Sequence, residues 1–183
     1  ATVAVLPEAE EVDIKIEPAP RDAVTFGSFN TLAKVTPAMI ATWSRVLSAV
    51  AGSRMIIKAP AAGDEGVRKS PIRAFGEDGI DEPRLTILGK QMDWATHLAS
   101  YAQIDVMLDT FPYHGTTMTC EALWVGVPVV TLAGGSHVSR VGVSLLNSAG
   151  VPALIASSRD EYVNIAAPLA SDRSRLAGLR KML

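Results

Sequence analysis

Residues Gly115 to Leu123 read GTTMTCEAL, a glycine and three hydroxyl side chains ahead of an apolar run that carries a single carboxylate. A glycine feeding a helix N-terminus presents backbone N–H groups and the positive end of the helix dipole, and both favour an anion such as phosphate. Thr116 and Thr117 add hydroxyl donors, and Glu121 falls four residues beyond Thr117, on the same face and about one 5–6 Å turn deeper. A carboxylate at that depth would repel a phosphate it touched, but it suits the hydroxyls of a ribose attached to one. The alternative reading is that the threonines only cap the helix, Glu121 is a solvated acid in a favourable dipole position, and Cys120, Leu123 and Trp124 are core.

Lys34 is the second candidate, a cation that can neutralise a diphosphate, although a lone lysine is commonly just solvated. His97 shares a helical stripe with Trp94, Leu98 and Tyr101, the pattern of a hydrogen-bonded histidine at the edge of the core. His114 and His137 sit in loops and suit ligand or water equally. The segment AGGSHVSR offers another glycine-bearing helix entry, with Ser136 or Ser139 as cap and Arg140 in the first turn.

These residues must be positioned by the elements around them. Short β-type runs fall at 24–29, 54–58, 84–88, 104–109, 127–132 and 152–156, and segments of helical period separate them. The clearest helix has Thr36 as cap, Pro37 at its first position, and an apolar stripe of Met39, Ile40, Trp43, Val46, Leu47 and Val50 that Gly52 ends. Further helices are expected near 66–78, 93–102, 117–125, 139–149 and 159–171, the last with a Ser158–Glu161 capping box and with Pro168 expected to kink or shorten it. Strands alternating with single helices require right-handed crossovers, so the fold class is α/β: a doubly wound, mostly parallel, six-stranded Rossmann-like sheet. Ligands of such sheets bind beyond the carboxyl ends of the strands, which selects NTLAK, GKQMD, TFPYHGTT and AGGSHVSR.

Composition narrows the function. The 183 residues are 48% hydrophobic, and 17 basic against 19 acidic side chains give a net charge of −2, so no basic field exists to attract nucleic acid or an anionic membrane. One cysteine, Cys120, and no His/Cys cluster of ligand spacing argue against an internal disulfide and a metal site, and a reducing cytoplasm is the expected compartment. Neither a G-x-G-x-x-G after the first strand nor a G-x-x-x-x-G-K-[ST] is present, which disfavours dinucleotide oxidoreductases and P-loop enzymes. Residues 1–22 read as a proline-rich acidic linker ahead of a domain over 23–183. The Ala1 start and the helix-like SRLAGLRKML at the other end point to a piece of a longer chain.

Together, FGSFNTLAKVTP, DTFPYHGTTMTCEALWVGVPVVTLAG and HVSRVGVSLL resemble the C-terminal catalytic half of the SPINDLY and O-GlcNAc transferase family, from about Phe26 to the chain end. The resemblance implies one half of a GT-B fold that binds a nucleotide-sugar, commonly UDP-GlcNAc, for transfer of GlcNAc to Ser/Thr hydroxyls of proteins. It implies that Lys34 contacts the diphosphate and stabilises the leaving group, the catalytic role. Gly115, Thr116, Thr117 and Met118 match the phosphate-binding helix start, Glu121 the ribose-binding acid, and His97 a histidine near the base. Thr31 and Met92 complete the implied nucleotide-sugar contacts.

Compared with the animal transferases, Thr116-Thr117-Met118 stands for His-Thr-Thr, Thr31 for a glutamine and Glu121 for an aspartate. The DTFPYHGTTMTCEAL form is similar to the plant SPINDLY branch, part of which uses GDP-fucose. Neither metal nor cofactor is expected beyond the sugar nucleotide. The N-terminal catalytic half and tetratricopeptide repeats of the family are the implied missing partners, so the fragment alone is expected to bind nucleotide without turnover. A non-catalytic interaction module and a nucleotide-sugar epimerase are the alternatives from other classes.

Overall fold

The computed structural model describes residues 22–58, 64–89 and 93–183. The linker assigned to 1–22 thus lies, except for Asp22, outside the described residues, and so does Met92. The first strand, β1 (Thr25–Ser28), is buried along its whole length and leads through a 3-10 turn (Leu32–Lys34) into α1 (Pro37–Ala49). Thr36 caps α1 as expected, its hydroxyl oxygen accepting the Met39 N–H at 3.3 Å. The predicted stripe is the buried face: Met39, Ile40, Trp43, Val46 and Leu47.

The chain then alternates through β2 (Arg54–Lys58), α2 (Glu65–Glu77), β3 (Leu85–Leu88), α3 (Trp94–Ala99), β4 (Val106–Leu108), α4 (Thr117–Trp124), β5 (Val129–Leu132), α5 (Val141–Ser148), β6 (Ile155–Ala156), α6 (Arg159–Ser171) and α7 (Arg173–Met182). All five strand pairings are parallel, in the order β3-β2-β1-β4-β5-β6. That is the doubly wound order, with its switch point between β1 and β4. Right-handed crossovers send α1 to one face and α4 to the other. Helix α1 packs against α2 and α6, and α4 against α5. Phe26, Trp43, Met55, Ile57, Tyr101, Ile104, Met107 and Tyr162, all essentially inaccessible to solvent, form the interior.

Three expectations are corrected. The sixth strand does not run from 152 to 156: Pro152 opens a 3-10 turn through Leu154, and only Ile155–Ala156 pair with β5. Pro168 does not end α6, which continues to Ser171, because Tyr162, Val163, Ala166, Leu169 and Ala170 bury one face across the missing N–H. The capping box at its start is offset: Ser158 accepts the Glu161 N–H, but the Glu161 carboxylate reaches back to the N–H of Ser157.

Candidate nucleotide site

At the switch point the chain leaves β1 and β4 toward opposite faces, and the two departing loops meet across the sheet edge. They are joined by three hydrogen bonds. Asn30 Nδ2 donates to Asp109 Oδ1 at 3.1 Å, the Thr36 hydroxyl to the Phe111 carbonyl at 3.3 Å, and the Lys34 ammonium to the His114 carbonyl at 3.0 Å. Lys34 is therefore not a freely solvated lysine. Its Nζ also lies 4.2 Å from the centre of the Tyr113 ring, a cation–π distance. Burial pushes its pKa below the ordinary value, and the Asp109 charge works against that shift.

Asp109 organises the second loop. It is fully buried; Oδ1 accepts the N–H groups of Gly115 and Thr110 at 2.8 and 2.9 Å besides the Asn30 amide, and Oδ2 accepts the Thr131 hydroxyl at 2.8 Å. Burial raises its pKa, opposed first by the electrostatic influence of His114, 3.8 Å away, and then by the donors of Gly115, Thr131 and Thr110. His114, left open between ligand and water, faces neither: it is buried, donating from Nε2 to the Leu132 carbonyl at 2.8 Å and accepting the Gly142 N–H at Nδ1 at 2.9 Å. His137 is exposed.

Gly115 then turns the chain into α4. A Cβ there would sit 2.6 Å from Asn30 Oδ1 and 2.9 Å from the Thr119 hydroxyl, so the close approach of the two loops requires glycine. Thr116 precedes the helix without a side-chain cap hydrogen bond, so the capping alternative for the threonines does not hold. The first backbone N–H groups of α4 stay available at the dipole's positive end. Thr117 is exposed, Met118 half-buried, and Thr31, in the loop after β1, is exposed. Ser136 and Ser139 form a capping box on the separate 3-10 turn His137–Ser139.

The second half of the alternative fails as well, because Glu121 is buried rather than solvated. Its Oε2 accepts the Tyr101 hydroxyl at 2.8 Å and the His97 Nε2–H at 2.7 Å. Its Oε1 is equally buried and has no hydrogen-bond partner among the described residues. Helical spacing finds Glu121 but not what surrounds it: Tyr101, which shares the His97 stripe, and Lys58, the last residue of the 54–58 run, whose ammonium bonds His97 Nδ1. Asp109 and Asn30, which hold the loops together, carried no sequence signal beyond their place after strands.

The arrangement is thus an ammonium bonded just ahead of an uncapped helix N-terminus, with a carboxylate one turn inside the helix that is partly unsatisfied among the described residues. A family model described as glycosyl transferase family 41 matches residues 15–183. The chain is 43% identical over 171 residues to a probable UDP-N-acetylglucosamine–peptide N-acetylglucosaminyltransferase SPINDLY of Petunia hybrida, covering 92% of this chain and 18% of the relative. It is 36% identical over 162 residues to the UDP-N-acetylglucosamine–peptide N-acetylglucosaminyltransferase of Caenorhabditis elegans, covering 88% of this chain and 14% of that one. The chain spans less than a fifth of these curated relatives.

Among solved structures, a mutant O-GlcNAc transferase of Thermobaculum terrenum superposes with a TM-score of 0.84 at 36% identity over 92% of this chain and 34% of its own. A trehalose-6-phosphate enzyme of E. coli bound with UDP-2-fluoro glucose shares the fold alone, at TM-score 0.59 and 20% identity, over 88% of this chain and 40% of its own. The three quoted motifs, the strand order and these matches agree, and the chain belongs to glycosyl transferase family 41.

Proposed function

We propose that this domain is the donor-binding half of a glycosyltransferase that moves GlcNAc from UDP-GlcNAc to Ser/Thr hydroxyls of proteins. The observation that carries the reading is Glu121 Oε1, a buried carboxylate oxygen without a partner among the described residues, one turn inside a helix whose N-terminus no side chain caps. A buried acceptor left unpaired costs about 1–3 kcal/mol, and a ribose hydroxyl would satisfy it. The diphosphate would then lie against the N–H groups at Gly115 to Met118, with Lys34 opposite.

As the glycosidic bond breaks, charge builds on the departing diphosphate, and the Lys34 ammonium stabilises it without a metal. For that, Lys34 exchanges its bond to the His114 carbonyl for one to the phosphate. The acceptor wall and any catalytic base belong to the N-terminal catalytic half of the family, so this domain by itself binds donor without transferring it. The relatives' names support GlcNAc as the sugar and a protein as acceptor. We place the protein in the cytoplasm, on its single cysteine. No helix among the described residues is long and apolar enough to cross a membrane.

Calorimetry on the full-length protein with UDP, UDP-GlcNAc and GDP-fucose tests the reading and names the base. Lys34→Ala is expected to weaken binding by about 1–3 kcal/mol, the worth of a charge-assisted hydrogen bond. Absence of binding to every nucleotide, or affinity unchanged by Lys34→Ala and Glu121→Gln alike, would sink the site. Mass spectrometry of the products separates transfer to a peptide from epimerisation of the free sugar nucleotide. A pure interaction module would keep its cellular function when Lys34 is removed.

A further inference from the structure

Lys58 closes β2 and is buried to 7% exposure, although it is a lysine at a strand end. Among the described residues its hydrogen-bond partner is Nδ1 of His97, and its Nζ lies 5.8 Å from the centre of the Phe29 ring. An ammonium has only N–H donors, so the ring nitrogen facing it must accept. A ring that accepts at Nδ1 carries its proton at Nε2, and that N–H points at Glu121 Oε2, 2.7 Å away. The Tyr101 hydroxyl donates to the same oxygen from 2.8 Å. Oε2 is therefore engaged by two donors, from α3 and the turn that follows it, and the unused acceptor capacity of the carboxylate lies mainly on Oε1.

We propose that Lys58 is a positioning residue for ribose recognition: by fixing the Nε2–H tautomer of His97, it anchors Glu121 through Oε2 and leaves Oε1 as the acceptor for a ribose hydroxyl. This rests on the donor-binding reading above. It also changes the part given to His97. With Nδ1 and Nε2 both bonded inside the protein, His97 offers a ligand its ring face and no hydrogen bond. Without Lys58 the ring is free to carry its proton on Nδ1, which turns an Nε2 lone pair toward the carboxylate and removes one of its two anchors. Glu121 then swings, and the loss falls on recognition of the ribose hydroxyls rather than on the diphosphate, which Lys34 and the α4 N-terminus hold independently.

The test uses the full-length protein as wild type, Lys58→Met and Lys58→Arg. Affinities are measured for UDP and GDP, each against its 2′,3′-dideoxy form, together with the side-chain 15N spectrum of histidine-labelled protein. Wild type is expected to prefer the ribonucleotide by about tenfold, the worth of one charge-assisted hydrogen bond. Lys58→Met should lose most of that preference while its affinity for the dideoxy nucleotide stays within about twofold of wild type, and Lys58→Arg should retain the preference. The His97 spectrum should show an Nε2–H ring in wild type and a tautomer mixture in Lys58→Met. Preference and tautomer both unchanged in Lys58→Met overturn the relay. A wild type that binds without preferring the ribonucleotide overturns the ribose assignment itself, whatever the tautomer does.

Discussion

Two buried carboxylates stand at the two ends of the same α4 entry, and they are satisfied differently. Asp109 receives four donors, three on one oxygen and one on the other, from β1's loop, its own loop and β5. Among the described residues Glu121 receives two donors on Oε2 and none on Oε1. Moving a carboxylate out of water costs several kcal/mol, and hydrogen bonds must offset it. Asp109 offsets much of it with four donors from within the fold, although burial still holds its pKa above the ordinary value. Its role is to hold Gly115 and the two crevice loops in one place. Glu121 keeps one oxygen unmatched among the described residues, a local cost that fits the proposed ribose site, where a ligand supplies the missing donor.

The contrast can be broken by mutation, most severely at Asp109. Asp109→Ala leaves the donors of Asn30, Thr110, Gly115 and Thr131 without their shared acceptor, and is expected to cost about 3–5 kcal/mol in denaturant unfolding. Asp109→Asn retains an acceptor for the N–H groups and should lose far less. The two variants also differ in pH response. Burial holds the Asp109 pKa above its unfolded value, so the stability linked to it is complete at acid pH and is lost as pH rises through the raised folded value. The asparagine variant lacks that slope. An alanine variant as stable as wild type would mean the loops do not depend on Asp109.

Next comes Gly115→Ala, whose methyl would meet Asn30 Oδ1 at 2.6 Å and push the loops apart. A loss of about 1–3 kcal/mol is expected, with nucleotide affinity falling further than stability because the α4 N–H groups move with the loop. Glu121→Gln should be milder in thermal unfolding, about 1 kcal/mol, since an amide oxygen can still accept from Tyr101 and His97. Its nucleotide affinity, however, should drop about tenfold, the reverse of the Asp109→Asn pattern. Thr116→Ala is the smallest: no cap hydrogen bond is lost, so melting should stay within about 0.5 kcal/mol of wild type. A loss of the ~1 kcal/mol typical of a removed cap would restore the capping interpretation of the threonines.

Much of this was legible in the chain. The alternation of apolar runs and helical stripes dictated a parallel sheet, and Thr36-Pro37 marked α1 because capping is local chemistry that the residue carries with it. Glu121 was found because i to i+4 spacing on a helix is fixed whatever surrounds it. Lys58 and Asp109 were not, since a lysine and an aspartate at strand ends look solvated until their partners are known. Those partners lie far off in sequence: 39 residues for Lys58 and His97, 79 for Asn30 and Asp109. The truncated sixth strand has a related cause: PALIA has strand composition, but Pro152 opens a turn, and only two residues meet β5.

The sequence by itself determined which elements form, the parallel sheet they must build, and the face of α4 that carries Thr117 and Glu121. Those properties depend on periodicity, capping and handedness, which act over a few residues or through general rules of chain connection. Only the tertiary structure decided that Glu121 is buried with one oxygen unpaired among the described residues, that Lys34 is held on the opposing loop, and that His97 is bonded to both Lys58 and Glu121. Each of these depends on which side chains the sheet order brings together at the switch point, and on how much water that meeting excludes.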